Sequence, residues 1–343
     1  MRAQMLISRE KNRFKEIDAA KTSLGQFQTR HPGWLAPHVL DFIRHRAPAI
    51  LYDPFAGRGE LLRMAQREYP AELRGLDIDP TTHWPANDSL RHIPPLNRAV
   101  IVTNPPYLAK HSAKRKGVYS SVASHFASRR DLYQVALDRC SAACAHIVAI
   151  VPETLINSDY PKTHMEHITI LEANPFTDTD CPVCVVCMDT TRAAIPEGPM
   201  IYLGAQPIAT LAALNSARLH PQNTVAIHFN EPTGRIALRA VDLPDPLKPI
   251  AFMRRAELDY PPDRVRTSSR LVTFIEIPNL PDTELDALVT TANRRLAELR
   301  RATADIILSP FKGNTQRGTR RRRLDYYTAR AILECSLNSL EIE

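Results

Sequence analysis

The chain has 343 residues, 44% hydrophobic and 24% charged, which is enough for a substantial core and for two domains. Its formal net charge of +7 at pH 7 favours an anionic partner. No stretch approaches the roughly 18 uninterrupted apolar residues of a spanning helix, and MRAQMLISREKNRFKEIDAAK at the start is charged where an export signal would be apolar. Neither a membrane span nor secretion is therefore expected, and six cysteines in so long a chain fit a reducing cytoplasm better than a disulfide framework.

Residues 1–22 read as a polar extension. PGWLAPHVLDFIRHR (32–46) carries apolar residues at helical spacing. AILYD (49–53) is a short buried strand cut off by PFAGRGE. ELLRMAQREY then reads as a helix and ELRGLDID as the second strand. AVIVT (99–103) is the third. DLYQVALDRCSAACA is an amphipathic helix, and HIVAIVP, HITILE and CPVCVVCMD are further strands. Short apolar strands alternating with helices predict an α/β fold with a parallel sheet over about residues 30–190. The texture changes after Thr191. TVAIHF, GRIALRA and LVTFIEI are isolated strand-like runs broken by prolines. DTELDALVTTANRRLAELRRATADIIL is a long helix with Asp282 as its expected N-cap, and SPFKGNTQRGTRRRRLDYYTARAIL follows.

Three constellations carry chemistry. In DPFAGRGE, the acid Asp53 ends a strand, and Gly57 and Gly59 let the backbone turn tightly and approach a ligand. Gly-x-Gly without a third glycine also suits an ordinary strand-to-helix turn. In GLDIDP, Asp77 ends the next strand, where an acid is placed to bind a ribose, although a turn or capping role fits it too. The pair points to an adenosine-containing ligand. The third is AVIVTNPPYLAKHSAKRKG. Asn104 offers a carbonyl acceptor and an amide donor. Pro105 and Pro106 fix φ and lack N–H groups, so a rigid turn can aim the Pro105 carbonyl outward beside the Asn104 oxygen. Two acceptors side by side suit an NH2 group, and Tyr107 supplies a flat face for a planar ring.

Basic residues follow that turn at Lys110, His111, Lys114, Arg115 and Lys116, and again at Lys312, Arg317, Arg320, Arg321, Arg322 and Arg323. A charge run is often only a solvated face. Beside that turn, and beside Tyr326 and Tyr327, these read as contacts to nucleic-acid phosphates. Cys181, Cys184 and Cys187 alternate along one apolar strand, a poor arrangement for one metal, so no metal is expected.

Asn-Pro-Pro-Tyr behind DPFAGRG and GLDID resembles the S-adenosylmethionine-dependent amino methyltransferases of the adenine-N6 DNA class. SLGQFQT (23–29) is similar to that family's cofactor segment, and cofactor motifs before the catalytic turn, with a recognition region last, is its gamma order. NPFTDTDCPVCVVCM is similar to the segment whose aromatic, here Phe176, packs on an extruded base. The resemblance implies a Rossmann-like, mostly parallel seven-stranded sheet with helices on both faces, over residues 23–192, and a smaller α+β target-recognition domain over 193–343. It implies that S-adenosylmethionine, leaving as S-adenosylhomocysteine, is held by Gln26, Phe27, Thr29, Asp53, Pro54, Phe55, Ala56, Gly57, Gly59, Asp77, Ile78, Asp88, Asn104 and Pro106. It implies catalysis at Asn104, Pro105, Pro106 and Tyr107, with Tyr107 and Phe176 stacking on the base. The implied partners are double-stranded DNA and a cognate restriction endonuclease, for a cytoplasmic, nucleoid-associated monomer or weak dimer. Departures are Arg58 between the glycines, Gln28 in the cofactor segment and Ser89 after Asp88. A protein-glutamine or rRNA amino methyltransferase, and an inactive DNA-binding protein on the same scaffold, remain alternatives.

Overall fold

A computed structural model describes residues 27, 29, 31–176, 179–261, 265, 271–311 and 320–340. The chain divides into two compact units, Met1–Pro207 and Ile208–Glu343.

The first unit is built on a sheet of β1 (Ile50–Asp53), β2 (Glu72–Gly75), β3 (Ala99–Thr103), β4 (His146–Pro152), β5 (Met165–Ile170), β6 (Val183–Asp189), β7 (Met200–Leu203) and β8 (Gln206–Thr210), the boundary between the units falling within β8. The strand order is β2-β1-β3-β4-β6-β5-β7-β8. β1 is parallel to both β2 and β3, β3 to β4, and β5 to β7, while β6 runs antiparallel between β4 and β5. Eight strands therefore stand where seven were expected; MIYL and QPIAT are too short and too broken by Pro and Gly to announce themselves as a pair.

Every residue of β1, β3 and β6 is buried, so these strands are apolar along their whole length rather than alternating. The edge strand β2 is different. Its Glu72 and Arg74 are exposed and paired at 2.7 Å, and charges of this kind discourage another chain from adding to the edge. The helix Glu60–Glu68 crosses from β1 to β2 and buries Leu61, Leu62 and Ala65 against β1 and β3. The helix Leu132–Ala143 packs on β4. From β1 the chain goes first to one side, to β2, and then to the other, to β3. The carboxyl ends of β1 and β3 thus flank a topological switch point, where open α/β sheets bind ligands.

The helix Pro37–Arg46 carries His38, whose ring stacks on Tyr202 of β7 at 3.7 Å and whose Nε2 lies 2.6 Å from Thr169 Oγ1 of β5. Burial, and His167 close by, bring the His38 pKa down from 6.5 to about 4. The fold therefore holds the neutral ring. Its stabilising contribution is complete above pH 6.5 and is lost as the pH falls from there through about 4. Urea midpoints measured across that range should decline with acidification, and His38→Gln should flatten the decline.

The second unit contains an antiparallel sheet of β9 (His228–Phe229), β10 (Ile236–Arg239), β11 (Ala251–Arg254) and β12 (Val272–Glu276), in the order β11-β10-β12-β9. The pair β13 (Ser309–Pro310) and β14 (Arg322–Arg323) and the helices Leu285–Ala302 and Tyr326–Leu340 complete it. Of TVAIHF only His228 and Phe229 pair as strand. The Val225 and Ile227 carbonyls accept instead from the Arg330 guanidinium, which takes the place of a ladder partner. Asp282 is not the cap of the long helix. It begins a 3-10 turn, Asp282–Glu284, and its carboxylate accepts from Arg235 at 2.8 Å.

An ionic centre holds this unit together. The Arg300 guanidinium spans both Asp242 oxygens at 2.9 and 3.0 Å and also reaches Asp305 at 2.7 Å. Asp242 is only 8% exposed, so removing its partner would leave a buried carboxylate uncompensated. Arg300→Ala should therefore cost about 3–5 kcal/mol, read from the urea midpoint, where a surface ion pair would cost about 1 kcal/mol or less.

Candidate active site

The site begins where β1 ends. Asp53 is 2% exposed, and its Oδ1 accepts from Thr103 Oγ1 at 2.6 Å and from the Phe55 N–H at 2.9 Å. The carboxyl ends of β1 and β3 are thereby tied together. Burial outweighs these two hydrogen bonds and pushes the Asp53 carboxyl up to about 7.

The turn after Asp53 runs through Pro54, Phe55 and Ala56 to the glycines, with the Ala56 N–H bonded to the Leu76 carbonyl at 2.9 Å. Gly57 has φ +52°, and a Cβ there would meet nothing within 4 Å among the described residues, which leave this backbone open. Gly59, at φ +78°, is restricted by packing as well: a Cβ would lie 2.9 Å from the Trp84 ring. Asp77 stands across the turn. One of its oxygens accepts from the Gly57 N–H at 2.7 Å and the other from the Asp79 N–H at 2.8 Å. Each oxygen keeps a second acceptor site. Ile78, beside it, is 57% exposed although apolar.

Asn104 follows β3 directly, at the other side of the switch point. Its Nδ2 donates to the Phe27 carbonyl at 2.7 Å. Its Oδ1 accepts from the Tyr107 hydroxyl, which also lies 2.8 Å from the Ile150 carbonyl of β4. Pro105 and Pro106 are both buried. The rings of Phe27, Tyr107 and Phe176 form a cluster with centroids 5.7 to 6.1 Å apart. Thr29 pairs with Phe176 in an antiparallel bridge, joining the first segment to the last. Three stretches far apart in sequence thus meet around one amide.

Two of the expected roles are constrained by the geometry. Tyr107 and Phe176 do not present parallel faces. Their planes are 66° apart with centroids at 6.1 Å, whereas a ring held between them needs parallel faces about 7 Å apart. The Asp88 carboxylate already pairs through Oδ2 with Arg91 at 3.1 Å and His125 at 3.0 Å, which leaves Oδ1 as the oxygen a ligand would meet.

The helix Lys110–Arg115 starts three residues beyond Tyr107. His111, Lys114, Arg115 and Lys116 are exposed, and Lys110 is half-buried with its ammonium 5.9 Å from the Phe126 ring. A small core of Leu108, Ala113, Val122, Phe126 and Leu132 anchors the segment, so these cations stand on an ordered support. In the second unit the arginine run is not uniform. Arg322 is 1% exposed, with its N–H bonded to Asp242 at 2.9 Å, and so cannot be a surface phosphate contact. Arg321 donates to the Asp242 carbonyl at 3.0 Å and lies over Phe311, and Arg320 and Arg323 are half-buried. Gln26, Lys312 and Arg317 lie outside the described residues.

Cys184 and Cys187 are fully buried on β6, and burial raises both thiols. Among the described residues no group of three or more His, Cys, Asp or Glu side chains is arranged to hold a metal. No described helix is long and apolar enough to cross a membrane.

Sequence reasoning missed Thr103, the Ile150 carbonyl, Trp84 and His125. Thr103 had a signal: a hydroxyl ending an otherwise apolar strand immediately before Asn104. The other three act through partners distant in the chain.

No protein-family model matches the sequence, and no curated protein matches it. Solved structures do. The type I restriction-modification methyltransferase subunit from Streptococcus thermophilus is 18% identical over 49% of this chain and 46% of its own, with a TM-score of 0.34. The M protein of the type I restriction enzyme EcoKI is 12% identical over 51% of this chain and 48% of its own, with a TM-score of 0.35. A candidate RNA methyltransferase from Pyrococcus horikoshii is 14% identical over 51% of this chain and 91% of its own, with a TM-score of 0.33. The chain spans less than half the length of the two restriction-modification proteins.

Proposed function

We propose that the protein transfers a methyl group from S-adenosylmethionine to the exocyclic N6 amine of adenine in double-stranded DNA. The observation that carries this reading is the Asn104 amide, anchored through its nitrogen at the switch point of the sheet with its oxygen turned to the Tyr107 hydroxyl.

S-adenosylmethionine fits the residues present. Among the described residues Thr29 Oγ1 is buried without a hydrogen-bond partner, Gly57 leaves open space above its backbone, and Ile78 exposes an apolar side chain beside Asp77. Asp77 would take the ribose hydroxyls on its spare acceptor sites, and Ile78 would cover the adenine. The cofactor supplies an electrophilic methyl group on a sulfonium.

The chain's own residues then have to make an amine nucleophilic. The lone pair of an exocyclic adenine amine is delocalised into the ring. Asn104 Oδ1 keeps one acceptor site after the Tyr107 hydroxyl has used the other, and takes one N–H of the amine. The Pro105 carbonyl takes the second. The nitrogen can then pyramidalise, and its lone pair would take the methyl group while the amine would release one proton to solvent. Placement and hydrogen bonding carry this catalysis, without a strong base. The base must leave the duplex to reach Asn104, and Phe176 would have to turn away from the Tyr107 ring, itself held by its hydroxyl, to admit the base beside it. His111, Lys114, Arg115 and Lys116 would hold phosphates beside the vacated position. The second unit would read the flanking bases.

Transfer of tritiated methyl groups to DNA, RNA and protein tests the assignment. Label in DNA adenine is the expected result. Label in RNA or in protein glutamine instead would overturn the DNA reading, and no transfer to any of them would overturn methyl transfer itself.

A further inference from the structure

We propose that the Tyr107 hydroxyl is a positioning group that holds the oxygen end of the Asn104 amide in place to meet the substrate amine. This rests on the methyl-transfer reading of that turn and gives the tyrosine a role apart from ring stacking.

An asparagine amide can turn over, exchanging its oxygen for its NH2 with little change in shape. At Asn104 the Phe27 carbonyl decides the orientation, and the Tyr107 hydroxyl, which can donate or accept, holds the end that results. The Phe27 carbonyl can only accept, so it selects the NH2 group on its side, at 2.7 Å. The other end is then the oxygen, and it meets the Tyr107 hydroxyl. Turning the amide over would set its oxygen against the Phe27 carbonyl oxygen, two acceptors facing each other, and would present a donor where the substrate amine also donates. The Phe27 contact lies on a chain segment reaching in from before the sheet. The tyrosine contact is founded on the sheet itself: its hydroxyl also lies 2.8 Å from the carbonyl of Ile150, a fully buried residue of β4. Burial holds the phenol well above its ordinary pKa, so the hydroxyl keeps its proton throughout the working range. That single proton is divided between the Asn104 oxygen and the Ile150 carbonyl.

The ring and the hydroxyl can be separated by experiment. Tyr107→Phe keeps the aromatic face and removes the proton. We expect kcat to fall about tenfold, the equivalent of one lost hydrogen bond, with KM for DNA and Kd for S-adenosylmethionine changed by no more than about twofold. Replacing Tyr107 by 4-aminophenylalanine, which keeps a donor at the same place, should restore kcat to within about threefold of wild type. This second variant decides the matter alone if the phenylalanine variant does not fold. Wild-type kcat in Tyr107→Phe, a rise in its kcat, or failure of the amino analogue to restore the rate would overturn the assignment. These outcomes are read against a wild type that transfers methyl groups; a wild type inactive on DNA, RNA and protein would remove the methyl-transfer reading instead.

Discussion

Asn104→Ala should lower methyl transfer by a factor of at least about 10³ while S-adenosylmethionine still binds. Removing a single preorganised hydrogen-bonding group aimed at a developing charge costs about 10²–10³ in kcat in other enzymes. Here one side chain has two duties, so the loss should lie at the upper end. Its oxygen accepts from the amine in the proposed mechanism, and its nitrogen fastens the turn to Phe27 at 2.7 Å. The cofactor should survive because its proposed cradle lies mostly elsewhere, in the turn from Asp53 to Gly59 and at Asp77, whose carboxylate is set by the Gly57 and Asp79 N–H groups and not by Asn104. Calorimetry of cofactor binding, run beside a tritium transfer assay, separates the two effects. Retained transfer in Asn104→Ala would remove the proposed chemistry; lost transfer together with lost binding would show that the turn supports the cofactor as well.

Replacing Lys114, Arg115 and Lys116 together by alanine should weaken DNA binding steeply and make what remains less sensitive to salt. These three side chains are exposed on and just after a helix anchored by Ala113 and Phe126, and Lys114 extends beside the Tyr119 ring, with its ammonium 5.2 Å from the ring centre. If each cation neutralises one phosphate, each contributes a slope of about −0.9 to the plot of log K against log salt. Losing three would reduce the slope by about 2.7, and the affinity measured near 50 mM salt should drop by well over tenfold. The substitutions should leave the unfolding midpoint almost unchanged, since no core contact is removed. An unchanged slope in fluorescence anisotropy titrations would mean that the DNA does not pass over this helix.

The strands that positioned the candidate site were readable because their apolar runs are continuous. AVIVT is a strand over exactly the residues its composition suggests, Ala99–Thr103, and the turn that follows it is placed by the strand's end. The parallel pairing of β1, β2 and β3 was implicit in the alternation of strands and helices, but β7 and β8 were not, because short mixed runs carry no periodicity of their own. Arginine burial was illegible. RRRR looks like a uniform surface cluster until Asp242, some 80 residues earlier in the chain, is found accepting from the Arg322 backbone at 2.9 Å. Asp88 shows the same limit. An acid in PANDSL looks available to a ligand, and only the fold brings His125 within 3.0 Å of it. Local composition reports what a segment prefers, and long-range partners decide what each charge is left free to do.

The contacts among Phe27, Thr29, Asn104, Tyr107 and Phe176 have a consequence for how the site comes into being. Chain segments separated by 69 residues or more each close onto the next: Phe27 onto Asn104 by a hydrogen bond, Thr29 onto Phe176 by backbone pairing, and Phe176 onto Tyr107 by ring contact. Every closure forfeits chain entropy once and is repaid only when the others form, so the ring of contacts assembles as one cooperative event. Under the proposed function, a chain that loses one of these contacts would therefore lose the whole corner, and activity with it, at temperatures that the buried strands of the sheet still withstand.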